Sequence, residues 1–114
     1  MTVMQSTIPQ KTLDMILSDL RQQLQAYYGS RLTDLVLYGS QARGDASFGS
    51  DIDVLVVLEG TVDPLQEISR AGEITAAISL QYDVVISCVY VSKDRYTQEK
   101  SPLLLNIHQE GVLI

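Results

Sequence analysis

Between Asp51 and Val91 the chain reads strand, helix, strand, and this order limits its possible folds more than any other feature. DIDVLVVL, Asp51 to Leu58, is apolar on both faces beyond Asp53, as in a strand from the middle of a sheet. TVDPLQEISRAGEITAAISL follows, with Asp63 as N-cap, Pro64 at the first helical position and Gln66 at N3. Its Leu65, Ile68, Ile74 and Ile78 keep helical spacing. YDVVISCVYV, Tyr82 to Val91, then reads as the next strand. A helix of about 17 residues is about 25 Å long, matching an eight-residue strand at about 3.3 Å per residue. The crossover is therefore parallel, with the starts of the two strands level.

The other elements build around that unit. Leu13, Ile16, Leu17, Leu20, Leu24 and Tyr27 fall on one helical face, and Gly29 supplies a stop. TDLVLY, Thr33 to Tyr38, reads as a strand ending at Gly39, followed by a loop from Ser40 to Gly49 with at most a helical turn or two. Ten residues separate Ser40 from Asp51, so this strand runs opposite to the next if Gly39 is to lie near Asp51. Ser101 and Pro102 start a helix ending at Gly111, and GVLI adds a short strand. The expectation is one domain over residues 1–114, α/β or α+β, with a mixed sheet of about four strands and helices packed on it.

Composition excludes several classes. With 46% apolar residues the chain can bury a modest core, and its single cysteine, Cys88, cannot form an internal disulfide. No apolar run approaches a membrane span, and the N-terminus lacks signal-peptide character, so a cytoplasmic protein is expected. A net charge of −6 gives no general grip on nucleic acid. Any polyanion must be held locally, by aligned backbone N–H groups, an arginine or a metal ion.

Asp51 and Asp53 are two apart on a strand, so both side chains leave one face and Ile52 leaves the other. Carboxylates roughly 6–7 Å apart at the edge of a core repel unless a cation sits between them, and Mg²⁺ suits two carboxylates plus phosphate oxygens. Asp83, at the start of the neighbouring strand, is expected to supply a third carboxylate. Gly39 and Ser40 offer close backbone approach, N–H donors and a hydroxyl to an anion. Arg43 either contacts the same phosphates or pairs with Asp45. Together these groups suit two-metal phosphoryl or nucleotidyl transfer, with Asp83 placed to take the attacking hydroxyl's proton. Asp34 lies at the wrong end of its strand to be a ligand. Ser50 is read as capping a turn, His108 as structural and Cys88 as core.

GSQARGDASFGSDID, with Gly-Ser, ten residues and Asp-x-Asp, resembles the signature of the polymerase-beta-like nucleotidyltransferases. The short length, the SDIDVLV wording and the closing SPLLLNIHQEGVLI resemble the minimal nucleotidyltransferases (MNT), commonly antitoxin partners of small helical HEPN ribonucleases. The resemblance is strongest from Leu37 to Val57. It implies an adenylyltransferase using ATP and two Mg²⁺ ions that silences a partner toxin by modifying a tyrosine, within a hetero-oligomer. Gly39 and Ser40 carry over as phosphate binders, Asp51 and Asp53 as metal ligands, and Asp83 as the third carboxylate. Larger relatives append an acceptor-gripping domain. Here the residues after Asp53 are consumed by core elements, so acceptor recognition is expected from another chain. The alternatives are an antitoxin that neutralises its partner by binding alone, and an enzyme acting on a small molecule such as an aminoglycoside.

Overall fold

The computed structural model describes residues 8–46 and 51–114; the expected role of Ser50 lies outside these residues. Helix α1 (Gln10–Tyr28) buries Leu13, Ile16, Leu17, Leu20 and Leu24, and Gly29 ends it with φ of 60°. Tyr27, expected on the buried face, is instead exposed, and the half-buried Tyr28 packs against the core. A 3₁₀ turn (Gly29–Arg31) leads into β1 (Leu32–Tyr38), followed by the single turn α2 (Ser40–Arg43) and β2 (Ile52–Leu58). Then come α3 (Pro64–Tyr82), β3 (Ile86–Ser92), α4 (Lys93–Gln98), α5 (Pro102–Glu110) and β4 (Val112–Leu113).

The sheet order is β3-β2-β1-β4, with β1 antiparallel to β2 and β4, and β2 parallel to β3. This is the mixed four-stranded α+β sheet expected from the sequence. Strand alternation divides the core into two layers. Ile52, Val54, Val56 and Leu58 pack with Leu35, Leu37 and the buried residues of α1 and α3. Leu55 and Val57 face the other way, packing with Val36, Val91 and with Leu104 and Ile107 of α5. All seven residues of β2 except Asp53 are fully buried. Burial of such aliphatic side chains contributes about 1.5–3 kcal/mol each, which makes β2 the most strongly fixed strand.

Three further features depart from the sequence reading. The buried positions of α3 are Glu67, Ala71 and Ile78, while Leu65 and Ile68 face solvent. Glu67 is tolerated there because the Tyr28 hydroxyl donates to it at 2.9 Å and Arg31 pairs with it at 3.3 Å. The third strand starts at Ile86, not Tyr82, because α3 continues through Tyr82 and stops at Asp83, whose φ of 54° and ψ of 51° are left-handed. The N–H groups of Asp83 and Val84 both return to the Ser79 carbonyl. No glycine is available at this stop, and aspartate is one of the few other residues that tolerates it. Finally, α4 is too short to show periodicity; the Ser92 hydroxyl caps it by accepting from the Arg95 N–H at 3.1 Å, and an Arg95–Glu99 pair follows.

Candidate active site

The antiparallel ladder of β1 and β2 ends with Tyr38 opposite Asp53, and the parallel ladder places Ser87 of β3 on the other side of Asp53. Tyr38, Asp53 and Ser87 therefore form a row across three strands on the α5 side of the sheet. Asp51 projects to the same side, while Ile52 is fully buried on the other, as the strand period requires. Asp51 is exposed and Asp53 half-buried. Burial pushes the Asp53 pKa up, the Asp51 charge pushes it further, and Arg43 opposes both. The Ser87 hydroxyl donates to Asp51 Oδ2 at 3.2 Å.

Gly39 closes the other side of the site. Its φ of 77° is left-handed, and a Cβ there would lie 2.5 Å from Asp53 Oδ2. Glycine is required on both counts, because the backbone turns out of β1 directly against the carboxylate. In α2 the N–H groups of Ala42 and Arg43 return to the Gly39 carbonyl, each at 3.1 Å. Those of Ser40 and Gln41 belong to the first turn, which has no intrahelical acceptor to offer them, and such groups suit an anion. The Arg43 guanidinium is held at 3.1 Å by both Asp45 and Glu110 at the end of α5. The ion pair expected as one reading of Arg43 is thus formed, and Glu110 is a second partner that the sequence did not reveal.

Asp83 does not stand level with the pair. Ile86 is opposite Ile52 and Ser87 opposite Asp53, while Asp83 lies four residues before Ser87 at the end of α3. Among the described residues no three His, Cys, Asp or Glu side chains are grouped to hold a metal ion. The remaining residues include none of these types. Asp51 and Asp53 themselves fit a divalent cation: they are two hard oxygen donors whose mutual repulsion Arg43 only partly offsets. The sequence reading missed Ser87 and Tyr38, which only the strand register brings to the pair.

The remaining candidates are accounted for structurally. Asp34 pairs with Lys93 at 3.3 Å toward the far end of β1. Burial pushes the Cys88 thiol up to about 12, so it remains protonated and inert. His108 stacks on Tyr96, and its Nε2 lies 2.8 Å from the Tyr96 carbonyl oxygen.

The glycine turn at Gly39 thus lies against the paired carboxylates at the start of β2. Residues 17–107 match the nucleotidyltransferase domain family, and the chain belongs to that family. A curated relative from Methanocaldococcus jannaschii, named "Putative protein adenylyltransferase MJ0141", is 31% identical over 68% of this chain and 78% of its own length. Another from the same organism, "Putative protein adenylyltransferase MJ1305", is 30% identical over 86% of this chain and 68% of its own length. A toxin–antitoxin crystal structure with AMP-PNP has a TM-score of 0.59 at 19% identity, over 82% of this chain and 68% of that one. The MNT antitoxin complex with tri-AMPylated HEPN toxin from Shewanella oneidensis has a TM-score of 0.50 at 17% identity, over 87% and 71%. At these identities the likeness is one of fold. Among the described residues no helix is long and apolar enough to cross a membrane.

Proposed function

We propose that this chain transfers an adenylyl group from ATP to a tyrosine of a HEPN-type toxin with which it assembles in the cytoplasm, and so acts as its antitoxin. The observation that carries this reading is the close approach of the Gly39 backbone to Asp53, where an added Cβ would lie 2.5 Å from Oδ2, which supports a phosphate-binding turn beside the carboxylate pair. The names of the curated relatives and the AMPylated complex among the structural neighbours support the acceptor class.

Asp51 and Asp53 would hold Mg²⁺, which when bound neutralises phosphate charge and polarises the reacting phosphorus. The first-turn N–H groups of α2 and the Ser40 hydroxyl bind phosphate oxygens and fix the triphosphate in line with the incoming hydroxyl. Arg43 joins them by exchanging its carboxylate partners for phosphate. The tyrosine oxygen forms a bond to the α-phosphorus as its proton passes to water, the bond from that phosphorus to the bridging oxygen breaks, and pyrophosphate leaves. Asp83 has no part in this reading, because it caps α3.

Mass spectrometry of the partner toxin after incubation with this protein, ATP and Mg²⁺ tests the proposal. An adenylyl mass increase on a tyrosine is expected, and Asp51→Ala plus Asp53→Ala is expected to abolish it. An increase that survives the double substitution, or none with the unaltered protein, overturns it. The lack of a third grouped carboxylate favours one competing reading, neutralisation by binding alone. That reading wins if the double variant still protects cells from the toxin at equal abundance.

A further inference from the structure

We infer that Ser87 fills the place a third metal-facing carboxylate would need, so that the chain's own donors form a one-ion site in which Ser87 positions Asp51. The inference rests on the reading of Asp51 and Asp53 as metal ligands and concerns how that site is built. On the α5 side of the sheet β3 presents Ser87, Val89 and Val91 in alternation; both valines pack in the apolar cluster there. Only Ser87 comes level with Asp53, and its hydroxyl donates to Asp51 Oδ2 at 3.2 Å. The one aspartate close by in sequence, Asp83, is explained by its left-handed conformation at the helix stop.

Charge supports the same count. Two carboxylates balance one divalent ion, and a second ion would need a further anion, which the nucleotide brings but this chain does not. A hydroxyl that donates to one oxygen of Asp51 restrains that carboxylate's rotation and leaves its other oxygen for a metal. Ser87 is thus a positioning residue. Its side chain governs how tightly the first ion is held before any nucleotide arrives.

The experiment is a titration of the full chain with Mn²⁺ alone, followed by electron paramagnetic resonance, with chain folding verified by circular dichroism. One ion per chain is expected, lost in Asp51→Asn and in Asp53→Asn. Ser87→Ala should weaken it on the order of 3- to 10-fold, the net value of one ordinary hydrogen bond. Ser87→Thr, which keeps the hydroxyl and suits a strand, should restore it. Ser87→Asp should tighten binding at least tenfold or admit a second ion, and Asp83→Asn should change nothing. Unchanged affinity in Ser87→Ala, or a loss in Asp83→Asn matching that in Asp51→Asn, overturns the inference. If Asp51→Asn and Asp53→Asn themselves leave Mn²⁺ binding intact, it is the metal-site reading of the pair that fails.

Discussion

A single methyl group is enough to separate the two halves of the site. Gly39→Ala would force a Cβ to within 2.5 Å of Asp53 Oδ2 at a φ of 77°. With ψ of −157° this is a conformation essentially reserved for glycine, which costs another residue about 1–3 kcal/mol, so urea unfolding should show a loss of that order, together with loss of adenylyl transfer. Asp53 carries the opposite balance. Burial and Asp51 raise its pKa, so its contribution to stability is present at acid pH, where it is protonated, and is lost as pH rises through its folded value. Asp53→Asn should therefore melt higher than the unaltered protein at neutral pH in EDTA, with the difference closing as pH falls below the ordinary carboxylate range. It should also be inactive. A lower melting temperature at neutral pH would refute the assignment of strain to the ionised pair. The sequence made Gly39, Asp51 and Asp53 legible through their spacing. The reason for the glycine was not legible, because it is a distance across two strands, and Ser87 was not, because its relevance depends on register.

At the scale of elements, periodicity and stop signals gave the order of helices and strands, including the parallel crossover. They failed where a local pattern had two physical readings. The run YDVV looks extended because it is aromatic and β-branched, yet its Asp83 ends a helix, and the strand begins three residues later. The stripe on α3 was misjudged for a similar reason: Leu65 and Ile68 obey the helical period, but the residue turned inward is Glu67, which hydropathy would never choose. Its selection depends on Tyr28 and Arg31, both distant in sequence. Asp83→Gly removes the cost of a left-handed aspartate and is expected to stabilise the chain by about 0.5–1 kcal/mol in denaturant titration while leaving metal binding unchanged. Destabilisation, or loss of metal binding, would return the Asp83 carboxylate to the site.

For the whole molecule, the sheet serves two layers and the chemistry sits where they end. The helices α1 and α3 cover one side, α5 covers part of the other, and the strand ends beyond α5 carry Tyr38, Asp53 and Ser87. Through Glu110, the far end of α5 also reaches Arg43 on α2. On the proposed reading, nucleotide capture by this arginine is a displacement, with the protein's own carboxylates as the resident rivals of ATP. Glu110→Gln weakens the rival and should tighten ATP binding several-fold in calorimetric titration, while unchanged affinity would leave Arg43 a surface ion pair only. Where an arginine is already occupied, the free enzyme is shielded from stray phosphate, and only a ligand that also satisfies the turn at Gly39 and the aspartate pair can outbid the carboxylates at home.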